Sequence, residues 1–222
     1  MLFYHHVSRL YSYGLGLVLF LNLSQPVLSD LKKKVNITAK LPYVEVVHKG
    51  KKVRIKRIKD TGNIIDIDFA LTSRPCPPYC IQPIKLAPGV ETIGELELLT
   101  YLQKMGSDES IMVIDSREPK WLKSGMIPGA VNIPWDKLYN KTASDAAIAT
   151  IIQLQFKVVK TGDLWNFENA KTLVFYCNGA WCGQSPTNIR ALLSIGYPAH
   201  RLKWYRGGIQ SWKLFGLTTI NQ

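Results

Sequence analysis

The chain has 222 residues, 46% of them hydrophobic, which suits one ordinary domain with a full core and excludes a disordered polymer. Four cysteines are too few for a disulfide-built mini-protein of this length. The net charge of +12 points first to an anionic partner, but most of the excess lies between Lys32 and Lys59, and no nucleic-acid module or set of base-stacking aromatics accompanies it.

Arg9 and two histidines precede an uncharged run from Leu10 to Leu23, and Val27-Leu28-Ser29 follows. That layout predicts a secretory signal over residues 1–29 with cleavage after Ser29. An uncleaved signal anchor is the alternative, although the run is short for a span of about 20 apolar residues. Either way the chain is expected to be exported, to the periplasm, where thiols can oxidise. Lys32 to Lys34 could touch anionic lipid, so membrane contact through the N-terminus is expected.

Residues 30–89 read as an accessory extension. Tyr43 to Val47 and Val53 to Ile58 alternate around Lys49-Gly50, which predicts a β-hairpin. Its lysines and arginines alternate with Val and Ile, as on the wet face of a sheet, so no nucleic acid is expected as a partner. A connector rich in Pro and polar residues follows and contains Cys76 and Cys80 in "CPPYC". That spacing is not C-x-x-C, so a thioredoxin-like pair is not supported.

From Thr92 the pattern changes. Thr92 to Glu95 matches a capping box, which predicts a helix to about Gln103. Ile111 to Asp115 and Thr172 to Tyr176 are short apolar runs, expected as strands buried on both faces. "SDAAIATIIQLQFKVV" has helical spacing at Ala147, Ile148, Ile151 and Ile152. "SPTNIRALLSIG" predicts a helix with Ser185 as N-cap, a buried face of Ile189, Leu192 and Leu193, and Gly196 at its end. "RLKWY" predicts a last strand. Strands alternating with helices over residues 90–222 argue for an α/β domain with a central parallel sheet flanked by helices.

Ligands in such sheets sit beyond the carboxyl ends of strands. Cys177 is at that edge, followed by Asn178, Gly179, Ala180, Trp181, Cys182, Gly183, Gln184 and Ser185. Glycines that let backbone N–H groups turn inward, with a helix start behind them, would hold an anion or acidify a thiol. The layout suits a thiolate nucleophile; a buried cysteine ending a strand is the plainer alternative.

At these residues the chain resembles the rhodanese-like domain family, over about Val90 to Leu217. The resemblance is carried by "VIDSREPKWLKSGMIPGAVNIPW" and by "LVFYC", "SPTNIRALLSIGY" and "LKWYRGGIQSWKLFGL", in the expected order. Asp115 and Arg117 match the family's strand-end Asp-x-Arg. The resemblance implies a sulfurtransferase in which Cys177 takes sulfur from a small anionic donor such as thiosulfate. The cysteine holds that sulfur as a persulfide and passes it to a thiol or cyanide acceptor. Three departures stand out: Cys182 occupies the place of a loop arginine, Met126 that of a histidine, and the stretch from Cys177 to Gly196 is about two residues longer than usual. Arg117, Arg190 and Arg206 remain as sources of positive charge, with a structural ion pair expected for Asp115 and Arg117.

If all four thiols pair, three connectivities are open. A local Cys76–Cys80 staple would leave Cys177 and Cys182 as a working pair, a bridge from the connector to Cys182 would leave Cys177 alone, and a Cys177–Cys182 disulfide would be the resting state of a switch in which Cys182 is the resolving thiol. Three functions follow: a sulfurtransferase, a thiol redox protein using Cys177 and Cys182, or a non-catalytic binding module with a protein partner. No cofactor and no metal are expected; the chain has no P-loop sequence, and its four histidines are scattered.

Overall fold

The computed structural model describes residues 34–221. The signal or anchor expected over residues 1–29 and the lysines at 32 and 33 lie outside the described residues. Tyr43–His48 (β1) and Lys51–Lys56 (β2) pair antiparallel, with His48 opposite Lys51. Lys49 and Gly50 both take positive φ, 48° and 76°, as a tight two-residue hairpin turn demands. Val44, Val46 and Ile55 turn inward while Lys51, Lys52, Arg54 and Lys56 face water, which explains why so basic a ribbon alternates with valine and isoleucine.

The connector is irregular apart from one helical turn, Ile67–Ala70 (α1), which buries Phe69. Glu91–Ile93 (β3), Ile111–Asp115 (β4), Val131–Asn132 (β5), Thr172–Tyr176 (β8) and Leu202–Tyr205 (β9) build a five-stranded sheet in the order β3-β9-β8-β4-β5. Every pairing in it is parallel. The helices are Glu95–Lys104 (α2), Asp145–Phe156 (α3), Gln184–Ser194 (α4) and Gly208–Leu214 (α5). A small hairpin, Val159–Thr161 (β6) with Leu164–Asn166 (β7), stands apart from the sheet. Among the described residues no helix is long and apolar enough to cross a membrane.

The strand period of two divides the apolar residues between two cores. Val113, Val174, Tyr176 and Tyr205 join Leu98, Leu102, Ile209 and Trp212 on one face, together with Val44, Val46, Ile55 and Phe69. Ile114, Leu173, Phe175 and Trp204 join Ile152, Phe156, Ile189 and Leu192 on the other. The hairpin and connector thus share the core of the first face.

Four local expectations need correction. The capping box sits two residues later: Thr92 is in β3, and the Gly94 N–H donates to Glu97 Oε2 at 3.1 Å. Glu91–Ile93 pair with β9, which takes Thr92 out of the helix start. Ser185 is not an N-cap; Gly183 is, and Ser185 lies buried inside α4. Leu193 is only partly buried, so Pro186 and Asn188 complete the face with Ile189 and Leu192. The helix α3 stops at Phe156 because Lys157 adopts a left-handed φ of 58°, leaving Val158 and Val159 outside it.

At the end of β4, Asp115 and Arg117 form an ion pair of 2.7 Å with both side chains wholly buried. Burial disfavours the guanidinium, but the Asp115 carboxylate outweighs it and keeps Arg117 charged. Removing one member leaves the other as an uncompensated buried charge. Arg117→Leu is therefore expected to cost about 3–5 kcal/mol in urea unfolding. The Asp115→Leu/Arg117→Leu double variant should recover part of that loss, because neither charge then remains. A single variant as stable as the parent would refute the structural role.

Candidate active site

Cys177 follows β8 directly, at the carboxyl edge of the central strand, and the loop ends at Gly183, which caps α4. The loop backbone is held on two sides. Ile209 N–H donates to the Cys177 carbonyl and Gln210 N–H to the Asn178 carbonyl, each at 2.9 Å, while Gln82 N–H of the connector reaches the Ala180 carbonyl at 2.9 Å. Within the loop, Cys182 N–H closes a turn on Gly179 O at 2.9 Å. Trp181 Nε1 donates to Gln210 Oε1 at 2.8 Å, and Gln210 Nε2 donates to the Phe69 carbonyl at 2.7 Å.

This close approach of α5 depends on Gly208. Its φ is +58°, and a Cβ there would stand 2.4 Å from the Cys177 carbonyl oxygen and 2.7 Å from Gly179 N. Both the turn and the space require the missing side chain.

Cys177 and Cys182 are free thiols, only 2% and 4% exposed. Cys76 and Cys80 are joined by a disulfide with a Cα–Cα distance of 4.7 Å, the local staple among the three connectivities. Burial pushes the Cys177 thiol up. Hydrogen bonds from the Cys182 thiol, from the Ser185 backbone and hydroxyl and from the Asn178 backbone outweigh it, and the thiol lies below its ordinary range. One contact suits the neutral form, the Cys177 S–H donating to the Cys182 carbonyl at 3.4 Å. Cys182 is the reverse: burial, then the neighbouring Cys177, raise it well above the usual cysteine value. Gln184 Oε1, 3.6 Å from Cys182 Sγ, is an alternative acceptor for the Cys182 proton. The pair is thus one acidic thiol beside one that stays protonated.

The start of α4 is tied to the end of β4 through Ser116. The Ser116 and Ser185 hydroxyls are hydrogen-bonded at 3.1 Å, with Ser116 donating so that the Ser185 proton is left for Cys177; Ser116 Oγ accepts from Asn188 Nδ2 at 3.2 Å, and the Ser116 N–H donates to the Tyr176 carbonyl at 2.9 Å. Asp115 and Arg117 meet each other and not the loop: Arg117 also donates to the carbonyls of Trp121 and Gly125, and Tyr176 OH donates to Asp115 Oδ2 at 2.9 Å. Arg206 gives its Nε and Nη2 to the Gln82 carbonyl, and Arg190 is exposed.

A cleft of about 380 Å³ opens beside the loop. Asn178, Trp181, Cys182, Gly183 and Gln184 line it; Cys177, Gly179, Ala180 and Ser185 do not. Sequence reasoning missed the opposite wall, Tyr79, Trp121 and Trp135, and the buried supports Ser116, Asn188 and Gln210. Trp121 and Trp135 flank the "IPGA" turn, and two large aromatics bracketing a turn are a signal that could have given them. Tyr79 meets the Trp181 ring edge-on at 5.5 Å. Among the described residues no group of three or more His, Cys, Asp or Glu side chains is placed to hold a metal ion.

Residues 98–214, more than half of the chain, match the family model of the rhodanese-like domain. A curated relative, an HTH-type transcriptional regulator of Mycobacterium tuberculosis, is 29% identical over 107 residues, 48% of this chain. The chain spans 36% of that relative's length. A human single-domain sulfurtransferase structure is 22% identical, with a TM-score of 0.36 over 55% of this chain and 95% of its own. A Saccharomyces cerevisiae single-domain sulfurtransferase is also 22% identical, at 0.37 over 59% and 92%. A Rhodopseudomonas palustris protein of unknown function, described as a possible tyrosine phosphatase, is 19% identical, at 0.42 over 59% and 85%.

Two outcomes are expected from this geometry. Gly208→Ala should lose at least about 2 kcal/mol of stability in denaturant unfolding, since strain and a backbone clash add. The rate of Cys177 alkylation by iodoacetamide, followed by peptide mass spectrometry across pH, should have its midpoint below the ordinary cysteine value of about 8.5. Ser185→Ala removes a donor to the thiolate and should move that midpoint up. An unchanged midpoint would deny Ser185 the role.

Proposed function

The chain belongs to the rhodanese-like domain family, and on that premise we propose that it is a sulfurtransferase carrying sulfane sulfur as a persulfide on Cys177. The observation that carries this reading is the place of Cys177, directly after the central strand at its carboxyl edge, in a loop held by α5 and running into the start of α4; hydrogen bonding around its sulfur lowers the thiol in spite of burial. A thiolate is the nucleophilic form, and it needs no separate base once its proton has gone.

In the first step the Cys177 thiolate attacks the outer sulfur of the donor. A new S–S bond forms, the donor's own S–S bond breaks, and its electron pair leaves on sulfite or on an organic thiolate. In the second step an acceptor thiolate or cyanide attacks the terminal sulfur of the persulfide. The Cys177–sulfur bond breaks, and the thiolate returns to the same donors. No net oxidant is consumed. The loop donors favour negative charge on Cys177 at the start and end of the cycle, as preorganised dipoles do.

A second reading has one observation of its own. Cys177 and Cys182 are both free, and the Cys177 S–H reaches the Cys182 carbonyl at 3.4 Å, which supports a Cys177–Cys182 disulfide as an alternative use of the loop. In that case the pair is a thiol redox couple with Cys182 as the resolving thiol. A binding module on the same fold would use neither thiol.

Intact and peptide mass spectrometry distinguishes the three. The protein is treated with thiosulfate in one sample and with an organic persulfide in another, beside a Cys177→Ser control. The expected product is one added sulfur atom on Cys177, transferable to cyanide and missing from the control. A Cys177–Cys182 disulfide that forms regardless of donor would favour the redox reading. An inert Cys177 with either donor would leave the binding module.

A further inference from the structure

We infer that the cleft beside Cys182 is built for a neutral organic thiol or persulfide with an N–H or O–H donor, and not for a small inorganic oxyanion such as thiosulfate. This names the substrate class of the sulfurtransfer site and takes its chemistry from that reading, but the binding it predicts needs no sulfur transfer.

The lining carries the inference. Tyr79, Trp121, Trp135 and Trp181 supply aromatic surface on both sides, each ring partly open to solvent. The volume of about 380 Å³ falls in the range of about 300–1,000 Å³ usual for organic ligands. A small oxyanion would leave those faces wet and gain nothing from them. A ligand with an aromatic or apolar body would cover them.

Charge points the same way. Two charged side chains line the cleft, and they neutralise each other: Lys120 Nζ lies 2.5 Å from Glu118 Oε2. The Glu118 carboxylate also accepts from Trp135 Nε1 at 3.3 Å. The place of the family's loop arginine is taken by Cys182, a thiol that burial keeps protonated. Arg74 reaches the edge of the site, but it lies over the Trp181 ring at 4.0 Å, donates to the Asp68 carbonyl, and does not line the cleft.

A polar group without a partner completes the argument. Asn178 lines the cleft and is 2% exposed, and its Oδ1 carries no hydrogen bond. A buried acceptor in that state favours a ligand that brings a donor. Thiosulfate has none, whereas an amide or amine on an organic thiol does. Sites that hydrogen-bond a substrate group discriminate strongly against analogues that lack it.

The test is a binding titration on the full chain with Cys177→Ser and Cys182→Ser, so that no sulfur chemistry intervenes. Tryptophan fluorescence and calorimetry would follow 4-(mercaptomethyl)benzamide, its carboxylate counterpart 4-(mercaptomethyl)benzoate, and thiosulfate. The amide is expected to bind at least about tenfold more tightly than the carboxylate, with thiosulfate unable to displace it. Tyr79→Ala, which opens one wall, should weaken the amide without helping thiosulfate. The same ligand ranking, read by calorimetry on reduced protein with both cysteines intact, guards against a fold defect in the variants. Thiosulfate binding as tightly as the amide, or lost on Arg74→Gln, would assign the site to an oxyanion and overturn the inference. So would failure of the amide to bind. If the amide binds and no donor ever loads Cys177, the sulfurtransfer reading falls and the cleft assignment stands.

Discussion

A carboxylate and a guanidinium buried together at the end of β4 fix what lies above the sheet. Asp115 accepts from the Arg117 backbone, Nε and Nη2 and from the Tyr176 hydroxyl. Arg117 then spends its remaining donors on the carbonyls of Trp121 and Gly125. Desolvating two charges is expensive, and a pair this deep contributes little net stability even when every lone pair and proton is met. What it contributes is position. It holds the turn that bears Glu118, Lys120 and Trp121, one wall of the cleft. The residue between them, Ser116, ties the same strand end to the first turn of α4 through Ser185 and Asn188. One tripeptide thus sets both the cleft wall and the helix whose Ser185 donors face the thiol.

A loop without an arginine, such as residues 177–185, holds negative charge differently. An arginine would act over distance and draw anions from solution. Neutral N–H, O–H and S–H donors act only on contact and leave the cleft without net charge. The Cys177 thiolate can therefore be favoured in a site that has no special attraction for an anionic ligand. Acidifying a thiol and recruiting an anion are separable tasks, and here neutral donors lower the Cys177 thiol. Cys182 is central to that division: burial raises its thiol well above the usual cysteine value beside a more acidic neighbour.

What was legible in the sequence was local. The runs Ile111–Asp115 and Thr172–Tyr176 have no polar alternation, and a strand buried on both faces explains that pattern with no tertiary information. Lys49-Gly50 named its own turn because few residue pairs accept two positive φ values. The sheet position of Cys177 followed from its place at a strand end. Errors came where two local patterns compete. Thr92-x-x-Glu95 satisfies a capping box, but pairing with β9 claimed Thr92 for a strand, and Glu97 took over the cap. Ser185 looked like an N-cap because serine often is; here its hydroxyl was drawn into the buried contact with Ser116. The cleft was not legible. Its walls come from residues near 79, 121, 135 and 181, and no periodicity links segments so far apart.

The segment before β3 is also part of the site. Tyr79 and Pro78 form cleft wall, and the Cys76–Cys80 disulfide closes the short loop that presents them. Gln82 acts as a clip: its N–H holds the Ala180 carbonyl, its carbonyl receives Arg206, and its side chain returns to the Cys80 carbonyl. Phe69 gives a carbonyl to Gln210, which in turn orients Trp181. The basic hairpin seals the core beneath with Val44, Val46 and Ile55. The matched residues 98–214 contain the thiol loop and α5, but none of the hairpin and connector residues that make these contacts. The matched segment carries the Cys177 loop, and the connector supplies part of the cleft beside it, so the cleft is built by both together.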